Sequence, residues 1–475
     1  MFNTVVEKAE LVAEMEWTIG EVVDATNGTT LLARDQVIRD VCTDSRRVSQ
    51  GALFFALKGE RYDGHAFVDQ ALASGAAGAV VSMVPPGVAP EKCIVVDDTL
   101  RSLGDLAAWT RRREGWRVVG LTGSSGKTTT KELIASVCAQ ARGENKVLKT
   151  KENWNNLVGL PLTIFSARGE EEIAVLEMGM NRFGEIRRLT EIAQPDIGLI
   201  TNIGLAHAGG VGGTQEGVAR AKGEIIEALK PEATFIANVE DEWVCRLVQR
   251  FRGPKITFGA GGDVQAHWVR DLGLGGVVFE LDLAGQRATV RLRLVGVHNV
   301  SNALAAAAVG LALGFRVEAI AAGLECVDVV AGRMEVVRLR NGVTVLDDAY
   351  NANPSSVEAA LKVLRRFSGR PLVVLGEMLE LGGESQRAHR LVGERVAALD
   401  VAALILIGEE TEATAAAAEQ AGLPGERIYR CRSCAEAAEA VLRLWSRGDV
   451  VLVKGSHNLH MEEVVRILVT AGNSH

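Results

Sequence analysis

The 475-residue chain lacks the features that mark several protein classes. Lys and Arg together number 52 against 60 Asp and Glu, a net charge of -8, so the chain has no basic excess to attract nucleic acid or anionic lipid non-specifically. Its seven cysteines are scattered and odd in number, which argues against a disulfide framework and fits a reducing cytoplasm. The chain has only 10 prolines, whereas its 51 glycines suggest many tight turns. These absences predict a cytoplasmic globular protein without a nucleic-acid partner.

Long hydrophobic runs are also missing. The longest uncharged stretch, 294–315, carries polar residues near its start, and its continuous apolar part, Ala303 to Phe315, is too short to span a bilayer. The first ten residues show no basic region followed by an apolar run, so we expect no secretory leader. The single C-x-x-C, Cys431 to Cys434, lacks a second pair or nearby His, and we expect no metal or redox role for it. The sequence thus predicts no membrane insertion.

The pattern of elements predicts an α/β protein of about three domains. Residues 1–113 combine short strands and turns with a connecting helix over 100–113, which indicates a small α/β domain. Residues 114–330 alternate apolar runs with helical stretches, which favours βαβ units and a largely parallel sheet. The alternation restarts over 331–475, where a doubly wound, Rossmann-like domain is expected. The predicted strands are 53–57, 79–82, 93–96, 117–121, 173–176, 197–201, 234–237, 256–258, 343–346, 372–375, 403–407 and 450–453.

The most specific local pattern is an apolar strand that runs into a Gly-rich loop and then a helix. In such a loop, backbone N–H groups surround phosphates, Lys127 reaches the β- and γ-phosphates, and the Thr128 hydroxyl holds Mg²⁺. The strict G-x-x-x-x-G-K-T spacing would need glycine where Leu121 stands, so the loop is a variant; an ordinary strand-to-helix connection is the alternative. The predicted ATP-binding residues of this loop are Gly123, Ser124, Ser125, Gly126, Lys127, Thr128 and Thr129.

Three further residues follow predicted strands or lie on a predicted helix. Glu177 follows the strand 173–176, and His207 lies in the loop after the next strand, where an open α/β sheet places its ligands. Lys222 lies in A-R-A-K-G-E. Taken alone, each has a plainer alternative: a solvated carboxylate, a hydrogen-bonded loop histidine and a solvated surface lysine.

Together, these blocks resemble the ATP-dependent Mur ligases of peptidoglycan synthesis over nearly the whole chain. The blocks that carry the resemblance, in family order, are T-G-S-S-G-K-T-T-T-K-E, L-E-M-G-M, N-I-G-x-A-H, A-K-G-E, H-N-V-S-N-A-L-A-A-A and Gly332-Arg333. The resemblance implies three domains: a UDP-binding α/β domain, a central P-loop-type ATPase domain with a parallel sheet, and a Rossmann-like C-terminal domain.

The same resemblance implies the metal and nucleotide residues. It implies that Lys222 is carbamylated by CO₂, which converts a cation into an oxygen ligand suited to Mg²⁺. Thr128, Glu177, His207 and Lys222 would then hold two magnesium ions. Arg333, at the start of the third domain, would reach the phosphates on domain closure. Asn299 and Asn302 would contact adenosine or support the site, with helix capping as the alternative, and Asp348 would bind ribose or position the third domain.

Further blocks resemble the branch of the family that adds D-alanyl-D-alanine to UDP-N-acetylmuramoyl-tripeptide through an acyl phosphate. They are the run T-D-S-R-R-V-S-Q-G-A-L-F-F-A-L-K-G-E-R-Y-D-G-H-A-F, which resembles a UDP-binding domain, and the blocks N-W-N-N, D-D-A-Y-N-A-N-P and L-G-E-M-L-E-L-G. The substrate residues implied are Asp44, Ser45, Arg46, Asn155, Asn156, Tyr350, Asn351 and Asn353. His457 stands where the family usually has Arg, and neutral imidazole cannot reproduce a bidentate guanidinium contact.

We expect a monomeric enzyme, and the resemblance implies that its partners are these two substrates and its cofactor ATP. The alternatives are folylpolyglutamate synthase or another Mur member and, from another class, a non-catalytic nucleotide-binding switch.

Overall fold

A computed structural model describes residues 15–59 and 62–474 of the chain. The segment 1–14, where we expect no leader and where the predicted first domain begins, lies outside the described residues. So do Glu60 and Arg61, within the predicted UDP-binding run, and His475.

The strands, in chain order from β1 to β22, are Trp17–Thr18, Thr29–Thr30, Val37–Ile38, Val41–Cys42, Leu53–Phe55, Gly78–Val81, Cys93–Val95, Arg117–Thr122, Val147–Lys149, Ile173–Glu177, Ile197–Ile200, Thr234–Asn238, Lys255–Phe258, Val264–Asp271, Val277–Leu283, Gln286–Leu292, Glu335–Arg338, Thr344–Asp348, Pro371–Gly376, Ala403–Ile407, Ile428–Cys431 and Val450–Lys454. Each predicted strand is present, with ends shifted by at most two residues.

The α-helices, in chain order from α1 to α15, are Ile19–Thr26, Val68–Ala73, Thr99–Glu114, Lys127–Arg142, Gly159–Phe165, Glu185–Ala193, Gln215–Ala228, Glu242–Val248, His298–Ala312, Val317–Glu325, Pro354–Leu364, Ser385–Ala397, Glu412–Gln420, Cys434–Leu444 and Glu462–Asn473. None of the helices within 15–59 and 62–474 is long and apolar enough to cross a membrane.

The described chain divides into two compact units. The first comprises the residues up to Gly120 with Gly143–Met178 and Arg188–Pro195; the second comprises Leu121–Arg142, Gly179–Arg187 and the residues from Asp196 onward. The predicted domain boundaries after residues 113 and 330 stay predictions.

The first unit contains a small α/β sheet. Strands β4, β5, β6 and β7 pair in parallel, and the short β2 joins β7 in antiparallel register. The predicted connecting helix is α3, whose N-cap Asp98 accepts a hydrogen bond from the Arg101 amide at 2.9 Å and whose C-cap Gly115 is left-handed. Because parallel strands end at one edge, the loops after β4, β5 and β6 share that edge.

In the second unit, β11, β12 and β13 pair in parallel, as predicted. The largely parallel sheet expected over 114–330 is confirmed, and its last part departs from the βαβ pattern, because β14, β15 and β16 form an antiparallel meander. Strand β15 alternates buried and partly exposed residues, and a turn at Ala284–Gly285 joins it to β16. An alternating strand with one face partly open is typical of antiparallel sheets rather than of βαβ units.

The second unit also holds a six-stranded sheet in the order β17-β18-β22-β19-β20-β21, parallel except at its edge strand β17. Alternate residues of the central strands pack into two separate cores. Leu346, Val373 and Leu404 face α11 and α12, whereas Val345, Leu372 and Ile405 face α14 and α15. Helices on both faces of a mainly parallel sheet make the doubly wound architecture that the sequence predicts.

Candidate functional site

The predicted phosphate loop connects β8 to α4, and two glycines shape it. Gly123 has φ of 152° and Gly126 has φ of 76°, both in the region that favours glycine. A Cβ on Gly123 would lie 1.9 Å from the Thr201 hydroxyl oxygen, and one on Gly126 would lie 2.4 Å from Asn302 Oδ1. The loop therefore has no room for a side chain at these two positions. Without side chains, its backbone N–H groups can approach a phosphate closely.

Asn202, in the segment after β11, fixes the conformation of this loop. Its Oδ1 accepts the Ser125 amide at 3.0 Å and its Nδ2 donates to the Ser125 carbonyl at 3.0 Å, while its own carbonyl accepts the Ser124 amide at 2.9 Å. Lys127 Nζ donates to the Gly123 carbonyl at 2.9 Å. Sequence reasoning quoted Asn202 within the N-I-G-x-A-H block but gave it no role, because only the fold brings it to a loop more than 70 residues earlier.

The two asparagines of α9 support the loop rather than cap the helix. The N-cap of α9 is Val297, without a side-chain capping hydrogen bond, so the capping alternative is wrong. Asn302 Nδ2 donates to Asn299 Oδ1 at 2.9 Å, and Asn302 Oδ1 accepts the Thr130 hydroxyl at 3.3 Å. Both side chains are buried, so this network connects the start of α9 to the start of α4.

Arg333 brings a cation to the first turn of α4. Its Nη2 donates to the Thr128 hydroxyl at 3.1 Å, and its guanidinium carbon lies 4.0 Å from the centroid of the Tyr350 ring. Its Nε is buried without a hydrogen-bond partner. A buried, unused guanidinium donor beside a Gly-rich loop suits an anionic ligand such as a phosphate.

Asp348 forms a buried ion pair with Lys454. Lys454 Nζ donates to Asp348 Oδ2 at 2.6 Å and to the Asn351 carbonyl at 2.8 Å, while the Met334 amide donates to Asp348 Oδ1 at 3.1 Å. Burial lowers the pKa of Lys454, and the Asp348 carboxylate opposes that shift. Because Met334 follows Arg333 directly, the buried pair fixes the backbone that carries the guanidinium, which favours the positioning role of Asp348 over ribose binding.

Asn353, predicted as a substrate contact, lies against the phosphate loop. The Ser125 hydroxyl donates to Asn353 Oδ1 at 3.2 Å, and Asn353 Nδ2 donates to the Ser124 carbonyl at 3.4 Å. Asn353 is also the N-cap of α11, where it forms a capping box with Ser356. Asn351 lies nearby in the chain, and its Oδ1 accepts the Ala352 amide at 2.9 Å. The start of α11 therefore reaches the same loop as the start of α4.

His207, Lys127 and Lys222 lie close enough to interact electrostatically. Burial lowers the pKa of His207, the two lysines lower it further, and a hydrogen bond to Glu380 opposes them. Lys222 is fully buried on α7. Sequence reasoning missed Glu380, whose Oε2 pairs with His207 Nδ1, although it lies within the quoted L-G-E-M-L-E-L-G block.

Two predicted residues meet in the first unit at the end of β10. Glu177 is buried, its amide donates to the Thr150 hydroxyl at 2.9 Å, and its Oε1 accepts from Asn155 Nδ2 at 2.9 Å. Asn156 points elsewhere, because its Oδ1 accepts the backbone amides of Val158 and Gly159 at the start of α5. Of the asparagine pair, Asn155 is therefore the one that touches another predicted site residue.

The predicted nucleotide-sugar residues follow β4 in the first unit. Arg46 donates to both carboxylate oxygens of Asp44, at 2.9 and 2.8 Å, and this contact lowers the pKa of Asp44 to about 2. The Ser45 hydroxyl donates to Gln70 Oε1 at 3.3 Å. His65, after β5, accepts the Ser82 amide on Nε2 at 2.9 Å. Sequence reasoning quoted His65 without giving it a role, yet it lies at the same strand edge.

Two further features noted in the sequence are His457 and the C-x-x-C segment. The His457 ring centroid lies 5.1 Å from that of Tyr350, on a turn after β22. Cys431 ends β21 and Cys434 begins α14, and burial raises the pKa of the Cys431 thiol to about 11. Within the described ranges, no group of three or more His, Cys, Asp or Glu residues is arranged to hold a metal ion.

Three family models match most of the chain. The Mur ligase middle domain matches residues 121–310, the Mur ligase glutamate ligase domain matches 332–457, and the Mur ligase family catalytic domain matches 37–108.

Individual proteins are similar over nearly the full length. The chain is 37% identical over 463 residues to the UDP-N-acetylmuramoyl-tripeptide–D-alanyl-D-alanine ligase of Escherichia coli strain K12, covering 96% of this chain and 99% of that protein. A crystal structure of MurF from Acinetobacter baumannii superposes with a TM-score of 0.88 at 34% identity, covering 96% and 99% of the two chains. MurF ligase from Thermotoga maritima in complex with ADP gives 0.81 at 31% identity, covering 91% and 97%.

Proposed function

Because the chain belongs to the Mur ligase family, we propose that it joins D-alanyl-D-alanine to UDP-N-acetylmuramoyl-tripeptide at the expense of ATP. The products would be ADP, phosphate and the UDP-muramoyl-pentapeptide precursor of peptidoglycan. The observation that carries the proposal is the contact of Arg333 with Thr128 at the phosphate loop, in a chain similar end to end to named ligases of this reaction.

The reaction we propose has two steps. The terminal carboxylate of the tripeptide attacks the γ-phosphorus of ATP, forming an acyl C–O–P linkage as the bond to ADP breaks. The amine of D-alanyl-D-alanine then attacks the acyl carbon, phosphate leaves from the tetrahedral intermediate, and the amine proton passes to solvent. Because two anions meet in the first step, catalysis depends mainly on offsetting negative charge.

The residues of the second unit fit ATP. The bare backbone at Gly123 and Gly126 leaves room for phosphate oxygens, and the helix α4 directs its N-terminus at the loop. Lys127 would leave the Gly123 carbonyl for the β- and γ-phosphates, and the unused Nε of Arg333 would donate to a phosphate oxygen. Asn299, Asn302 and Asp348 would act by holding these groups in place.

Some of the four predicted metal ligands have side chains that can bind Mg²⁺ as they stand. Thr128 supplies a hydroxyl oxygen and His207 a neutral imidazole, while Lys222 would need conversion to a carbamate before its side chain could bind a cation. Glu177, in the first unit, is the fourth predicted ligand. Mg²⁺ bound by these residues would offset the charge of the transferred phosphate.

Residues of the first unit and of the segment after β18 would bind the two substrates. Asp44, Ser45 and Arg46 would bind the UDP group, and Asn155, Asn351 and Tyr350 would contact the peptide. His457 would contribute less to carboxylate binding than an arginine could. We propose a monomer in the cytoplasm, a location that the seven free cysteines of the chain suit.

One assay separates this function from its alternatives. Purified protein is supplied with Mg-ATP, UDP-muramoyl-tripeptide and D-alanyl-D-alanine, each omitted in turn, while phosphate is measured and the product is weighed by mass spectrometry. We expect phosphate release only with all three and a pentapeptide product. A parallel incubation with Mg-ATP, a folate and glutamate tests for a folylpolyglutamate synthase. A glutamylated folate in that incubation, or ATP binding without phosphate release in any incubation, would overturn the proposal.

A further inference from the structure

Two loops of the second unit meet at His207 and Glu380. His207 lies in the loop after β11, and Glu380 lies 173 residues later in the loop after β19. Glu380 Oε2 forms a hydrogen bond with His207 Nδ1, and the Glu380 carbonyl accepts the Gly209 amide at 2.8 Å. One residue therefore holds both the imidazole ring and the backbone two residues beyond it.

The backbone on both sides of this contact adopts a conformation that is unusual for residues other than glycine. His207 and Glu380 both have positive φ, 63° and 64°, which non-glycine residues rarely adopt. A Cβ on Gly382 would lie 2.9 Å from Gly209 Cα, and one on Gly209 would lie 3.1 Å from the Glu380 carbonyl oxygen. Such conformations persist only where the surroundings enforce them, which distinguishes this contact from an incidental surface ion pair.

The pairing determines which ring nitrogen is available. Because a carboxylate only accepts, Nδ1 carries a proton in this contact, and a neutral ring then keeps its lone pair on Nε2. Among the described residues, the structure records a hydrogen bond for Nδ1 and none for Nε2. Nε2 is thus the ring nitrogen that is left for a ligand.

We propose that Glu380 is a positioning residue for His207: it fixes the tautomer and rotation of the ring so that Nε2 serves as the Mg²⁺ ligand. Carboxylates that receive the distal N–H of a ligating histidine act in this way in metal sites generally. The inference rests on the proposed function for its metal. As a consequence, His207 is oriented to bind the metal ion only while the loop after β19 contacts the loop after β11.

The first test reads the tautomer without metal or substrate. The full chain is labelled with ¹⁵N-histidine, and the His207→Gln variant identifies the His207 resonances among those of eight histidines. We expect a protonated Nδ1 and an unprotonated Nε2 in the wild type, and a mixture of tautomers in Glu380→Ala. Glu409→Ala, which removes an exposed glutamate from another loop, should leave the spectrum unchanged. An unchanged tautomer in Glu380→Ala would overturn the proposal.

The second test measures Mn²⁺ affinity in the presence of ADP by electron paramagnetic resonance, with Mn²⁺ replacing Mg²⁺. Loss of a histidine-orienting partner typically costs 10- to 100-fold, so we expect Glu380→Ala to weaken Mn²⁺ binding at least about tenfold. Glu380→Gln keeps the shape and one acceptor oxygen, and it decides the matter if the alanine variant fails to fold; we expect a weakening of about threefold. Affinities within twofold of the Glu409→Ala control would refute the positioning role. Neither test uses a peptide substrate, so failure of the ligase assay would be distinguishable.

Discussion

The buried pair of Asp348 and Lys454 offers a quantitative test of how Arg333 is held. The Lys454 side chain is 2% exposed and that of Asp348 is 13% exposed, so little water reaches either charge. Asp348→Asn keeps the shape, but its amide has one oxygen where the carboxylate serves two donors, the Met334 amide and the Lys454 ammonium. Leaving a buried charge without its partner costs about 3–5 kcal/mol. We expect that loss of local stability in Asp348→Asn.

The pH dependence of this loss has a definite sign. Burial already lowers the pKa of Lys454 below its ordinary value of 10.5, and removing the Asp348 charge lowers it further. Between the folded and unfolded pKa values, the unfolded chain binds more protons, so stability rises with pH in that window. The deficit of Asp348→Asn should therefore shrink as the pH is raised from 7 towards 10.

Amide hydrogen exchange of the full chain, read by mass spectrometry on peptides from β18 and β22, measures this local stability. Each 1.4 kcal/mol accelerates exchange about tenfold, so we expect an acceleration of at least roughly 100-fold at pH 7. The double variant Asp348→Asn/Lys454→Met should recover at least half of the loss, because a hydrophobic side chain of similar length needs no partner. Exchange within threefold of the wild type, or no recovery in the double variant, would refute the reasoning.

Three further changes test other predictions, two of them at the site and one at the C-x-x-C. Lys222→Ala should abolish ligation without altering the circular dichroism spectrum, and added bicarbonate should not restore activity; full activity would exclude the carbamate hypothesis. Gly126→Ala should weaken ATP binding at least about tenfold in calorimetry, because left-handed backbone costs about 1–2 kcal/mol and the Cβ would lie 2.4 Å from Asn302 Oδ1. Gly87→Ala, with φ of 86° but nothing within 4 Å, is its matched control, and equal effects of the two changes would contradict the loop argument. Cys431→Ser should retain near-normal ligation rates, whereas a large loss would give the C-x-x-C a role.

The sequence is most informative where structure is local. The phosphate loop, α3 and four of the six strands of the C-terminal sheet follow from residues adjacent in the chain, and each is present, whereas the two edge strands β17 and β21 were missed. The antiparallel meander β14–β16 was missed even though β15 alternates buried and partly exposed residues, because the surrounding βαβ rhythm favoured a parallel interpretation.

The candidate site was only partly predictable for a different reason. Asn202, Glu380 and Lys454 act on residues between 77 and 173 positions away, so no local pattern marks them. The Asn299–Asn302 network shows the same limit, since helix capping is the natural local interpretation of asparagine near a helix start, yet Val297 occupies that position.

The meeting of two helix starts at one loop has a consequence for how nucleotide binding responds to its environment. Helix α4 begins at Lys127, and Asn353, which caps α11, contacts the backbone and hydroxyl of the same loop. Each helix start contributes a partial positive charge that arises from aligned peptide dipoles. Peptide dipoles carry no titratable proton, unlike ammonium side chains. Part of the attraction for phosphate should therefore persist in strongly alkaline solution, where ammonium groups lose their protons.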